Sequence, residues 1–575
     1  MSETFQSIEQ ESSRLAMTQL LADLLRQATP SEAAIICNIS LGQLHPPYIG
    51  TQFNMAQKGV VRAIAKFLGE SESTVLSNAK KLGDVGLVLG QYSWQSDDEL
   101  TVHQVYSALE EIEKAAGIGS QEAKIDRLFQ LLKQLDPISA KYIARIILGK
   151  LRLGFSDMTV VDALSWMVAG DKSLRPIIEH AYNICADIGL IASDLKEHGI
   201  EAFEKMKIHI GIPIIPAAAE RLPTAQAIME KIGPKVIAQP KIDGFRLQIH
   251  IDNTGKKPVL HFFSRNMQDM TGMFPDLVEA FETFKLQQVI CEGEAIAYDP
   301  NTGTFLPFQE TVKRKRKHGI EEAAQEFPLQ VFIFDVLYLN GKPLLDVGHE
   351  ERRQKTVEVF GQTENPIVRV IEEKMITSSQ ELLDYFNHNI AAGLEGVVVK
   401  RPDAIYQPGK RNFNWIKLKR QEEGHLEDTL DCVILGYYAG SGKRAKFGIG
   451  AFLVGAYNKR EDRFETIAKI GTGLKDHDWI DLKKKCDELA IAHKPVNVEC
   501  SKEIYPDVWV EPEIVCLIRA DEITKSPAHM AGKTEKTEGY ALRFPRFMGY
   551  RPDKSAFEAT TVAEIEQMFK NQYAR

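Results

Sequence analysis

The hydrophobic period of the chain changes once, near residue 235, and that change divides what it can fold into. Up to about residue 210 apolar residues recur at helical spacing: Ile125, Leu128, Phe129, Leu132 and Leu135 follow the i, i+3, i+4, i+7 rule. Asp136-Pro137 predicts a cap and the start of the next helix, running into the basic apolar stretch IARIILGKLRLGF, where Gly149 and Gly154 bracket an expected turn. From about 235 the period is two. Phe245, Leu247, Ile249 and Ile251 alternate with Arg246, Gln248 and His250, which predicts a half-buried strand. Further strands are expected at VICEGEAIAYD (289–299), VFIFDVLYL (331–339) and GVVVK (396–400), with helical stretches between. The segment GIPIIPAAAERLP (211–223), with three prolines and no period, predicts a linker, and QEEGHLED (421–428) predicts a second. Beyond it LDCVILGYY, GAFLVGAY, FETIAKI and IVCLIRADEI, separated by glycine turns, have the cadence of a small β-barrel. The expected class is multidomain: an all-α N-terminal part, an α+β core and a C-terminal barrel.

Composition enters as a set of exclusions. No apolar run approaches the ~18 residues of a membrane span, and the start MSETFQSIEQESSRL is polar and acidic, so neither secretion nor membrane insertion is expected. The seven cysteines are scattered and never spaced C-x-x-C, which excludes a zinc ribbon and a disulfide framework and predicts a reducing cytoplasm. A net charge of −9 counts against nucleic acid. Distribution counts the other way: Lys313-Arg314-Lys315-Arg316-Lys317-His318 is a dense basic run, and Lys400 to Arg420 holds seven Lys or Arg. A solvated face is the competing reading of both.

Two phosphate-loop imitations fail. Gly532-Lys533-Thr534 has Pro527 where a P-loop needs glycine, and GSGKRA (440–445) lacks the hydroxyl that would hold magnesium. Lys241, in AQPKIDGFRLQIH, is different: a lysine at a strand edge beside an acid and a glycine can be a nucleophile, although the tetrad alone is equally a surface turn. FFSRN (262–266), CEGEA (291–295), FDVLYLNG (334–341), LEGVVVK (394–400) and WIKLK (415–419) follow in order. Their chemistry is joint. A lysine amine must lose its proton to attack phosphorus, and neighbouring cations such as Arg246, Lys417 and Lys419, with a bound divalent metal, favour that form. Glu294 and Glu395 are the residue type that holds a hard metal, and Phe334 can stack on a base. Taken singly, each has a plainer reading: surface acids, a core aromatic, the outer face of a strand.

The series KIDG, SRN, EGE, FDVLYLNG, EGVVVK, WIKLK resembles the nucleotidyltransferase motifs of ATP-dependent DNA ligases. RFPRFMGYRPDKSAFEATT (543–561) is similar to their last motif and PDVWVEPEIVCLIRADEITKSPAH (506–529) to their OB domain. LPFQETVKRKRKH (306–318) and IILGKLRLGFSDMTVVDAL (146–164) resemble the archaeal and eukaryotic replicative type, the latter inside its helical DNA-binding domain. The resemblance implies a DNA-binding domain over 1–215, an adenylation core over 216–422 and an OB-fold domain over 423–575. It makes Lys241 the adenylated lysine. Gln239, Arg246, Arg265, Glu294, Phe334, Arg411, Lys417 and Lys419 match nucleotide-contacting positions, and Glu294 and Glu395 the metal-associated carboxylates. Arg543, Arg546, Arg551 and Lys554 match the motif that orients pyrophosphate.

The implied reaction uses ATP and Mg2+ or Mn2+ to seal nicked double-stranded DNA through lysyl-AMP and DNA-adenylate. An RNA ligase or a GTP-dependent capping-type nucleotidyltransferase is the rival. The expected protein is a monomer of the cytoplasm, nucleoid-associated when on DNA, with no membrane partner. A sliding clamp stays open as a partner, since no clamp-binding peptide is legible. One residue departs from the family: Gln239 stands where glutamate usually reads the adenine amino group. An amide can accept or donate, so the motif alone leaves ATP against GTP open. Ile242 replaces a common aromatic, a packing change.

Overall fold

The computed structural model describes the chain apart from residues 12, 97, 150, 154–155, 205, 285, 307, 317, 362–364, 420–428 and 574–575. Gly154, Lys317, Arg420 and the expected second linker thus lie outside the described residues. Two compact units form, residues 1–67 with 93–420, and 68–92 with 421–575.

Among the described residues, the chain from Ser2 to Glu204 forms thirteen helices and no strand. Local chemistry sets their ends. Asp136 caps the helix Pro137–Ile147 by accepting from the Ile138 and Ser139 amides, as its position before Pro137 predicts. Lys141 and Arg145 on that helix point inward. Burial favours the neutral acid at their partner Glu9, but hydrogen bonds from Arg145 (2.8 Å), Lys141 (2.9 Å) and Tyr142 (2.8 Å) outweigh it and hold the carboxyl down at about 2. The charges of Lys141 and Arg145 are therefore internal.

Among the described residues the central region supplies eleven strands: β1 (Ala218–Arg221), β2 (Val236–Lys241), β3 (Phe245–Asp252), β4 (Val259–Ser264), β5 (Gln288–Ala297), β6 (Leu329–Leu339), β7 (Lys342–Pro343), β8 (Val368–Val370), β9 (Lys374–Ile376), β10 (Gly396–Lys400) and β11 (Arg411–Lys419). They make two sheets, one ordered β1-β11-β10-β2-β9 and the other β4-β3-β5-β6-β7, with β8 beside β6. Phe245, Leu247, Ile249 and Ile251 all enter one core, as the alternation predicts.

Two expectations are corrected here. Strand β3 is buried on both faces, Gln248 and His250 included. The segment expected as a linker covers one of them. Gln248 accepts from the Ile214 amide at 2.7 Å and returns a bond to its carbonyl at 2.9 Å, while the His250 Nδ1 accepts from the Gly211 amide at 3.0 Å. Burial draws the imidazole pKa down to about 3, keeping it neutral for that role. Further along, Ala218–Arg221 joins the first sheet as edge strand β1, parallel to β11.

The basic run at 313–318 also divides. Arg314 is fully buried, ion-paired with Asp276 and donating to the Phe327 carbonyl at 3.1 Å, while Lys313 pairs with Glu310 at 2.8 Å.

In the second unit, β12 (Leu430–Tyr438), β13 (Ala451–Asn458) and β14 (Arg463–Ile470) lie side by side in an eight-stranded sheet. Their inward residues pack against Trp479, Leu482 and Cys486 of the helix Asp476–Glu488. Within the same unit Lys80 pairs with Asp507 at 2.9 Å.

Candidate active site

The site is built by register. In the first sheet Lys241 pairs with Gly396 and Gly396 with Lys419; two residues along, Gln239 pairs with Val398, Val398 with Lys417 and Lys417 with Arg221. Directly paired residues share a face, and so do residues two apart. Gln239, Lys241, Lys417, Lys419 and Arg221 are therefore all delivered to one face of one sheet. Two glycines let the strands close in. A Cβ on Gly396 would lie 2.2 Å from the Leu418 carbonyl oxygen, and one on Gly244 2.2 Å from that of Ala295. The glycine of KIDG thus marks a close approach of the second sheet.

Glu395, just before β10, is the pivot. Its Oε2 meets the Lys241 Nζ and its Oε1 the Lys419 Nζ, so one carboxylate bridges two ammonium groups. Burial is the largest influence on the Lys241 ammonium and draws its pKa down; Arg265 acts in the same direction, and Glu294 and Asp243 oppose. The Lys417 pKa is also lowered, by burial and then by Lys241, Arg411, Arg265 and Arg221. Lys241, Lys417, Arg221, Arg265 and Arg411 thus crowd one field, which favours the neutral form of the two lysines. Glu294 keeps a little solvent contact but is ringed by protein. Desolvation pushes its carboxyl up to about 7, against the pull of Lys241 and Arg246.

Arg246 is tied into a joint beside the site. Its guanidinium is held by buried Glu292 (2.6 and 3.2 Å), donates to the Ala217 carbonyl at 2.6 Å and lies over Phe334 and Trp415. Its charge is matched locally by Glu292, and the cation that bears on Lys241 is Arg265. Tyr406 completes this joint, donating to Glu292 at 2.9 Å. Phe334 is half-buried, edge-on to Trp415 at 6.2 Å.

The motif reading missed several residues here. Lys400 follows Lys417 and Gln239 along the same rows, is 1% exposed, and is drawn down to about 8 by burial beside Phe334 and Trp415. It ends the motif LEGVVVK, so its signal was present. Glu373 and His349 join the site next to Gln239 from a loop and a helix start that carry no pattern.

Family models match this chain along nearly its whole length: "DNA ligase N terminus" over residues 1–165, "ATP dependent DNA ligase domain" over 216–419, and "ATP dependent DNA ligase C terminal region" over 445–554. The chain belongs to the ATP-dependent DNA ligase family. A "Probable DNA ligase" of Dictyoglomus turgidum is 47% identical, covering 99% of this chain and 96% of the relative. A "DNA ligase" of Sulfolobus acidocaldarius is 38% identical over 99% of this chain and 97% of its own length. The solved structure "Pmar-Lig_PreS3" shares the fold with a TM-score of 0.57 at 15% identity, covering 96% of this chain and 99% of that one.

In this ligase the four basic residues of the C-terminal motif all meet acids of their own unit. Arg543 pairs with Glu522, Arg546 with Asp521 at 3.2 Å, and Arg551 (3.1 Å) and Lys554 (2.6 Å) with Asp431.

Proposed function

We propose that this chain seals nicks in duplex DNA, with Lys241 as the nucleophile. The observation that carries the reading is Lys241 set against Glu395 and Lys419 within a row of cations, with the charge of Glu294 acting on it. In the first step the free amine of Lys241 attacks the α-phosphorus of ATP. The α–β phosphoanhydride bond breaks, pyrophosphate leaves, and Glu395, whose Oε2 touches Nζ, is placed to accept the amine's proton. The AMP then passes from Lys241 to the 5′-phosphate of the nick, and the 3′-hydroxyl displaces it to form the phosphodiester. Lys417, Lys419, Arg265 and Arg411 supply the positive field for the departing pyrophosphate, and Phe334 offers a ring to the base.

Among the described residues no cluster of three or more His, Cys, Asp or Glu forms a ready cage. Two carboxylates beside a polyphosphate are nonetheless the donor set of a magnesium ion, which takes the rest of its shell from phosphates and water. Glu294 and Glu395 would hold it, and it would neutralise charge on the phosphate oxygens. Residues 1–215 act as the DNA-gripping domain, 216–422 as the adenylation core, and 423–575 as an OB-fold domain carrying Arg543, Arg546, Arg551 and Lys554 toward pyrophosphate.

The test is intact mass after incubation with magnesium and ATP, GTP or NAD separately, alongside Lys241→Ala. The expected result is a gain of one AMP with ATP, lost in the variant, and closure of a nicked duplex by the adduct. No adduct from any of the three, after pyrophosphate has stripped pre-bound AMP, overturns the reading.

A further inference from the structure

Residue 239 is where the motifs leave the choice of base open, and its surroundings supply what the motif lacks. Gln239 is 2% exposed and stands two residues before Lys241, on the same face of β2. Its Nε2 donates to the Glu373 Oε2 at 2.8 Å. An ionised carboxylate only accepts hydrogen bonds, so it dictates which end of the amide faces it. The nitrogen must turn toward Glu373, and the oxygen must turn away.

Glu373 is itself held. It lies one residue before β9, whose pairing of Lys374 with Ala238 in β2 brings it beside Gln239. The His349 Nε2 lies 3.1 Å from the same oxygen and the Arg353 Nε 3.8 Å away. Behind them Arg352 and Asp335 form a fully buried ion pair at 2.7 Å. Burial would raise the Glu373 carboxyl, but His349, Arg353 and Lys400 outweigh it and keep it below the usual carboxylate range, hence charged at neutral pH.

We propose that Glu373 is the positioning residue for base selection. By fixing the Gln239 amide, it offers Oε1 as an acceptor to the 6-amino group of adenine and withholds the amide donor from the 6-oxo group of guanine. Adenine and guanine differ in donor against acceptor at this position. The inference rests on the proposed reading of the Lys241 cleft as the nucleotide site.

The experiment measures kcat/KM for lysyl-nucleotide formation with ATP and with GTP in the full chain, for the wild type, Glu373→Gln and the double variant Gln239→Glu/Glu373→Gln. An amide at 373 lets Gln239 stand either way round, so the ATP-to-GTP ratio should fall roughly tenfold or more, the scale set by one mismatched buried hydrogen bond. A carboxylate at 239 presents acceptors in either orientation, so the double variant should recover the adenine preference. A merely structural role for Glu373 would lower both nucleotides together and would not be rescued. A ratio unchanged within twofold in Glu373→Gln, with circular dichroism and thermal midpoint like the wild type, overturns the proposal while leaving Lys241 as nucleophile. No adduct in the wild type removes the nucleotide site, and this inference with it.

Discussion

Glu294 shows what burial does to a single group. Its carboxyl is pushed up to about 7, whereas in the unfolded chain it titrates near 4.5. A folded pKa above the unfolded one means that the stability tied to this group is complete below about 4.5 and is lost as pH rises to about 7. The cost at pH 8 is about 3 kcal/mol. Glu294→Gln removes that cost, so its thermal midpoint should exceed the wild type's at pH 8 and the gain should shrink by pH 5. A gain equal at both pH values counts against the shift. At this scale sequence reading names residue types and not partners. Arg246 and Arg314 look like free cations in FRLQ and KRKRK, yet each is matched to a buried-side acid, Glu292 and Asp276, from a strand or helix distant in sequence.

Strands were the most legible elements, because alternation and β-branched runs are local. The rows of Lys241, Gln239, Lys417 and Lys419 follow from KIDG, EGVVVK and WIKLK lying in neighbouring strands. What stayed hidden was pairing between a strand and an aperiodic segment. Residues 211–217 carry no period, and their hydrogen bonds run through backbone groups to Gln248 and His250. Gln248→Leu tests that union. It strands the Ile214 amide and carbonyl inside the protein at a cost of about 2 kcal/mol or more. A lower thermal midpoint and faster hydrogen exchange at the Ile214 amide are expected; unchanged exchange there would show that the segment is held by other contacts.

Over the whole molecule, the charge of −9 conceals a division of labour. Many basic side chains are spent on acids of the fold, among them Lys141, Arg145, Arg246 and Arg314. The remaining cations must supply the grip on DNA, and a grip made through phosphates weakens as salt rises. Affinity for a nicked duplex, followed by fluorescence anisotropy, should fall at least roughly tenfold between 50 and 200 mM salt, and by a similar factor for unrelated sequences. An affinity flat across that range would argue against backbone binding. The register of the first sheet also governs how such a chain can drift in length. Because Lys241, Gly396 and Lys419 are aligned across three strands, a single residue gained or lost inside β2, β10 or β11 would turn one set of side chains to the opposite face. By this register a gain or loss of length is tolerated in the connections and not inside these three strands.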